Sequence, residues 1–77
     1  MFLHVQTTVD RVIIEGDDCN VSATIETLKR TRGAMFPGPS IDFTLTMPAC
    51  EIEDAYDRAI EEGRRIFERF NAKQEAA

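Results

Sequence analysis

Residues 41–47 read Ile-Asp-Phe-Thr-Leu-Thr-Met, in which four apolar residues alternate with three polar ones. A period of two places alternate side chains on opposite faces of an extended chain, so these residues predict a β-strand that is buried on one face. Pro48 follows directly, and proline both ends a strand and suits the first turn of a helix. We therefore expect the chain to pass from strand to helix soon after Pro48.

A broad apolar stripe runs through the chain after Glu51. Acidic residues near its start and Arg69 and Lys73 near its end complement the dipole of a helix. The sequence thus predicts one long amphipathic helix, with a frayed tail at residues 74–77. The members of the stripe recur three and four residues apart and are Ile52, Ala55, Tyr56, Ala59, Ile60, Gly63, Ile66, Phe67 and Phe70.

Three small residues within that stripe, Ala55, Ala59 and Gly63, are spaced four apart. Gly63 costs about 1 kcal/mol relative to alanine inside a helix, so its presence indicates a packing requirement. Small side chains allow another backbone to approach closely. We favour the protein's own sheet as that neighbour, and a partner helix across a two-fold axis is the alternative.

Two short strands are predicted near the start of the sequence. Residues 2–7 alternate apolar and polar side chains, and residues 12–15 are rich in β-branched residues. We expect a tight hairpin over residues 8–11 to join them. Residues 16–20 combine Gly, Asp, Cys and Asn, a composition typical of a turn.

The segment 21–30 is compatible with two structures. As a strand, it places Val21, Ala23 and Ile25 on one face, whereas a helix over residues 20–32 also brings Val21 and Ile25 together. We favour the strand, because the β-branched residues in this segment lose rotamer freedom in a helix.

A loop is predicted over residues 31–40, since Pro37 and Pro39 do not fit a helix or a central strand. The elements together predict an α+β fold, a four-stranded antiparallel β-meander followed by one long C-terminal amphipathic helix packed on one sheet face. The alternative is a ββαβα fold with residues 20–32 helical. We expect residues 1–73 to form a single small domain.

The charge of the chain is unevenly distributed. The 77 residues carry a net charge of −5, but residues 1–26 hold one base and five acids, and residues 42–77 hold five bases and nine acids. Residues 27–41 hold three bases and no acid. An acidic balance disfavours a surface that binds nucleic acid or anionic lipid throughout. Without a long apolar run or a signal-peptide pattern, we expect no membrane partner and a cytoplasmic location.

Two cysteines, Cys19 and Cys50, are the only thiols. If residues 21–29 pair with residues 40–47 around a loop centred near residues 34–35, the two cysteines lie opposite each other. We favour two reduced thiols that adjoin because of topology over a redox latch or a reactive Cys50. Their spacing does not match that of a zinc site.

The basic loop, residues 29–36, is the strongest indication of a binding site. It contains three bases beside large apolar side chains, and Arg, Met and aromatic residues are enriched at the centres of interfaces. The alternatives are that the apolar side chains cover the edge of the core, or that the charges protect an edge strand. The predicted partner-binding residues are Lys29, Arg30, Arg32, Met35 and Phe36.

Carboxylates form a second candidate surface. In this hypothesis they imitate a phosphate backbone and occupy a basic groove on a protein that handles nucleic acid, although a solvated helix face is the simpler interpretation. The residues of this acidic surface are Asp17, Asp18, Glu53 and Asp57.

No group of residues has the pattern of a catalytic, cofactor or metal site, so we assign none. The leading hypothesis is a small acidic, non-enzymatic module that binds another protein or a protein–nucleic-acid complex. A finer hypothesis is an accessory inhibitor of the kind that mobile elements encode, which blocks a larger nucleic-acid-handling complex. The alternatives are weak nucleic-acid binding through the basic loop and an assembly subunit that self-associates, for example as a homodimer.

Overall fold

The structure is a computed structural model that describes residues 2–76, with side chains described as far as Gln74. Three antiparallel strands, β1 (Phe2–Glu15), β2 (Asp18–Thr31) and β3 (Ala34–Pro48), form a sheet in the order β1-β2-β3, and helix α1 (Ile52–Ala76) follows. The α+β class, the antiparallel sheet and the C-terminal helix are confirmed. The sheet has three strands instead of four, and the helical alternative for residues 20–32 is wrong, because β2 occupies that segment.

The predicted hairpin over residues 8–11 is wrong, because β1 continues through it. Its pairing with β2 shifts register at two β-bulges, one between His4 and Gln6 and one between Val9 and Arg11. Tight hairpins favour residues that adopt positive φ, and this segment has no glycine. The chain first reverses direction at Gly16, which has a φ of 59°.

The predicted loop over residues 31–40 is also wrong. The turn consists of Arg32 and Gly33 alone, and β3 continues through Pro37 and Pro39. Prolines fit here because β3 is an edge strand, where alternate N–H groups point away from the sheet. A bulge places Gly38 and Pro39 opposite Thr27, and the Thr27 hydroxyl donates to the Pro39 carbonyl at 2.8 Å.

Strand β2 supplies most of the core, as the strand interpretation predicts. Its alternate residues face α1 and are buried, namely Cys19, Val21, Ala23, Ile25 and Thr27. Ala55 and Ala59 are fully buried on the helix side. Helix α1 packs mainly on β1 and β2, so the protein's own sheet is the neighbour of the small-residue row.

Gly63 marks the closest approach between helix and sheet. A Cβ atom at this position would lie 2.6 Å from Thr7 Oγ1 and 2.8 Å from Thr7 Cγ2. These distances are shorter than van der Waals contact, so only glycine lets α1 lie this close to β1.

The molecule is long and thin, with extents of 49 × 21 × 15 Å. Its radius of gyration is 14.3 Å, compared with about 11.5 Å for a compact domain of this length. Among the described residues, no helix is both long and apolar enough to span a bilayer. The division into a domain at residues 1–73 and a frayed tail stays a prediction, and Ala77 lies outside the described residues.

We predict that Gly63→Ala destabilises the protein although alanine favours a helix. Overpacking costs about 1–3 kcal/mol, and the propensity gain of about 1 kcal/mol offsets it only in part. In a Thr7→Ala background the same change should lose most of its cost, because the two clashing atoms are gone. Urea unfolding of the four proteins measures this coupling. An equal cost of Gly63→Ala in both backgrounds would contradict the close approach.

Candidate functional site

The hairpin tip, residues 29–36, contains the basic loop and is built on a two-residue turn. Arg32 has a φ of 50° and Gly33 a φ of 81°, the two positive values that a type I′ turn requires. Type I′ turns match the twist of the strands on either side, so the tip is a direct extension of β2 and β3. The residues predicted to lie in a long loop are therefore held by a strand ladder.

The ladder determines which side chains of the tip share a face. Lys29 pairs with Phe36, and Arg30 pairs with Met35. Directly paired residues of an antiparallel ladder point to the same side of the sheet, and successive pairs alternate. Each face of the tip therefore presents one base beside one large apolar side chain, and Arg32 lies at the turn between them.

Both apolar side chains of the tip are accessible. Phe36 is 53% exposed and Met35 is 49% exposed. Phe2, which pairs with Lys29, instead packs against Phe70 of α1, with ring centroids 5.0 Å apart. That aromatic contact covers this end of the core. About half of the Phe36 side chain therefore remains available to a partner.

The bases of the tip have no acidic neighbour along the chain. Lys29, Arg30 and Arg32 are exposed, and residues 27–41 contain no Asp or Glu. Among the described residues, every ion pair lies within α1. In the described part of the chain, β1 begins opposite Lys29. From Arg30 to the turn, β2 therefore pairs with β3 alone.

The acidic surface is divided between two parts of the molecule. Asp17 and Asp18 lie at the turn between β1 and β2, and the Asp17 carbonyl accepts the Ala49 N–H at 2.8 Å, which places the start of α1 at this end. Glu53 is in the first turn of α1. Asp57 lies a turn later and lines a groove with Arg64. A 14-residue strand spans about 46 Å, so the acidic turn and the basic tip lie at opposite ends.

A loop centred near residues 34–35 would place Cys19 opposite Cys50. The structure does not show this pairing. The turn at Arg32-Gly33 pairs Thr31 with Ala34, and the bulge opposite Thr27 shifts the later pairs by one residue, so Cys19 lies opposite Met47. Cys50 then reaches the same place from the loop before α1, with its Sγ 3.8 Å from Met47 Sδ. Both thiols are free and belong to the core or its edge.

An open groove runs between α1 and β3, because the helix lies over the other two strands. It has a volume of about 460 Å³, an apolar floor that includes Leu45 and Met47, and a charged wall on α1 that includes Arg58 and Arg65. Within residues 2–76, no cluster of three or more His, Cys, Asp or Glu residues has the arrangement of a metal site.

Sequence reasoning misplaced part of the apolar stripe of α1. Ile52, Tyr56 and Ile60 were expected to pack on the sheet, but all three are exposed. The width of the stripe could have indicated this, because it exceeds the width of helix surface that one narrow sheet covers.

Comparisons with models of known protein families, with curated proteins and with solved structures find no match to this chain.

We predict that Arg32→Asn stabilises the protein. A side chain other than Asn, Asp or Gly is disfavoured by about 1 kcal/mol in the left-handed region, and Asn-Gly is a preferred type I′ turn. Chemical denaturation should show a gain of about 0.5–1 kcal/mol. Arg30→Asn, outside the turn, is the matched control and should give no such gain. A loss of stability in Arg32→Asn would mean that Arg32 makes a structural contact.

We also predict that the two thiols differ in accessibility. Cys19 is fully buried, whereas Cys50 is half-buried at the edge of the core. Brief alkylation of the native protein should modify Cys50 first, and Cys19 should react only when the protein unfolds. Peptide mass spectrometry locates the label. A chain that takes up no label until it is reduced would indicate a disulfide and contradict the free thiols.

Proposed function

We propose that the protein is a non-enzymatic module that binds another protein through its hairpin tip. The observation that carries the proposal is Arg32, which occupies a left-handed position where the fold favours Asn or Gly. Backbone strain of this kind is a recurrent feature of functional positions. An arginine at the most projecting point of the tip extends a charged side chain into solvent, where a partner can meet it.

The tip combines two kinds of contact. Arg30 and Arg32 suit bidentate recognition of carboxylates. Met35 and Phe36 are large apolar side chains of the types enriched at the centres of interfaces. Because Met35 and Phe36 lie on opposite faces of the tip, we propose that the partner receives the tip in a cleft whose two walls offer apolar side chains and carboxylates.

Occupation of such a surface excludes any other ligand from it. On this basis we keep the finer hypothesis that the protein is an accessory inhibitor, of the kind that mobile elements encode, acting in the cytoplasm on a larger nucleic-acid-handling complex. Its small size and acidic composition support that hypothesis only by analogy.

Direct nucleic-acid binding by the tip is the alternative that the same three bases raise. It is the weaker candidate, since the chain carries a net charge of −5. Three bases neutralise few phosphates, so affinity would be low and would fall steeply with salt.

The test is capture of partners from cells by tagged protein, compared between charge-matched variants. Arg30→Glu with Arg32→Glu alters the tip, and Arg11→Glu with Arg58→Glu makes the same charge change at exposed positions elsewhere. Phe36→Ala is compared in the same way with Ile13→Ala, another exposed apolar residue of the sheet. Quantitative mass spectrometry reads the captured proteins.

We expect the tip variants to lose the same captured protein by roughly tenfold or more, as removal of about 1.4 kcal/mol would cause. The control variants should retain it, and all variants should keep the thermal stability of the parent. Equal capture by tip and control variants would reject the tip as the binding site. The nucleic-acid alternative predicts that the protein binds an oligonucleotide at about 50 mM salt and that added salt weakens this binding. Loss of that binding in the tip variants alone would favour this alternative.

A further inference from the structure

An exposed apolar row lies on one side of α1. Ile52 is 58% exposed, Tyr56 is 43% exposed and Ile60 is 49% exposed. Spacing of four residues places the three side chains one above another on the helix. Ile14 of β1, which pairs with the buried Cys19, is also exposed at the start of this row. We call these four residues the β1-side flank.

Contacts of neighbouring helix positions show where the flank points. Gly63 approaches Thr7, and the Phe67 ring lies 5.4 Å from the His4 ring, so this side of α1 lies over β1. Ile60 is turned further from the sheet than these residues and lines a groove with His4. The flank therefore faces outward past the free edge of β1.

The exposed area of the chain is larger than its mass requires. Its accessible surface is 5450 Å², whereas a folded monomer of this mass exposes about 4,700 Å². The difference of about 700 Å² is close to the roughly 800 Å² per partner that a standard interface buries. This excess belongs to the whole elongated molecule, and burial of a standard interface would remove it; the exposed side chains of the flank indicate which face is covered.

Charges of opposite sign lie beside the flank, one before and one after Ile60. Asp57 precedes it by three residues and Arg64 follows it by four, and both line the same groove as Ile60. If two α1 helices lie antiparallel with their two-fold axis between Ile60 and Glu61, Asp57 of each copy faces Arg64 of the other. Arg64 also contacts Glu61 at 3.7 Å, but this exposed pair is weak and leaves Arg64 free to exchange partners.

We propose that the occupant of the β1-side flank is a second copy of this chain, related by a two-fold axis close to Ile60. Tyr56 and Ile60 of the two helices form the apolar centre, and the Asp57–Arg64 pairs lie on either side. A two-fold interface needs a self-complementary patch, and the flank has both the apolar row and the paired charges. This self-association is separate from the hairpin tip, which shares no residue with the flank.

The spacing of the elements fits this arrangement. Helix α1 lies above β1 and β2, and adjacent strands are about 4.8 Å apart. Two copies that meet along β1 would place their helix axes about 10 Å apart. Packed helices are separated by about 8–10 Å, so the two helices touch when the two sheets meet edge to edge.

The experiment is measurement of molar mass by sedimentation over a range of concentrations. The wild-type chain should approach twice 8.7 kDa as concentration rises, and Ile60→Glu should weaken the association at least about tenfold. Met35→Glu is the matched control, because Met35 is exposed to the same extent as Ile60 but lies on the hairpin tip. Circular dichroism confirms that each variant is folded.

A charge exchange tests the two-fold arrangement itself. Asp57→Arg and Arg64→Asp should each weaken the dimer, and the double variant should restore it. Glu62 and Arg69 pair within α1 across the same seven positions, so the decisive form mixes the two single variants. Neither variant has opposite charges at positions 57 and 64 of its own chain, so dimers that form only in the mixture report contacts between copies. A wild-type chain that stays monomeric at high concentration overturns the proposal. If Ile60→Glu leaves a dimer intact, the proposal is also overturned, and the free edge of β3 becomes the alternative interface.

Discussion

Helix α1 lies on the sheet through Ala55, Ala59 and Gly63, side chains no larger than a methyl group, and at Gly63 the approach to Thr7 leaves no room for a Cβ atom. This contact joins the two layers, helix and sheet, that residues 2–76 form. Because the layers are so close, little apolar volume separates them, and the fully buried core is limited to a few residues of β2, β3 and α1. A thin core under a 25-residue helix leaves Ile52, Tyr56 and Ile60 of the stripe beyond the edge of contact.

The elements that could be predicted are those whose local pattern and tertiary environment agree. Residues 41–47 alternate along β3, and the β-branched residues of 21–30 form β2, because each segment has one face under or beside α1. The errors at residues 8–11 and 31–40 have one physical cause. Both segments lie in edge strands, where β-bulges and prolines are tolerated because one side of the strand needs no partner.

The candidate site was predictable in composition but not in form. The bases and the Met-Phe pair at residues 29–36 are evident in the sequence, whereas their division between two faces follows from the Lys29–Phe36 and Arg30–Met35 pairing. That pairing depends on a turn confined to Arg32 and Gly33, and arginine is not a residue that signals a type I′ turn. The same turn, together with the bulge opposite Thr27, places Cys19 opposite Met47 instead of Cys50.

The hairpin tip and the β1-side flank occupy different parts of a 49 Å long molecule, so binding at one does not block the other. In the proposed dimer the helices are antiparallel, and the two tips therefore point in opposite directions. Such a dimer presents two identical basic tips at its two ends. It suits a partner that is itself repeated or symmetric, since two weak contacts at a matching separation bind far more tightly than one. A partner with a single isolated site would gain nothing from the second tip, so the two proposals together favour a partner with repeated sites.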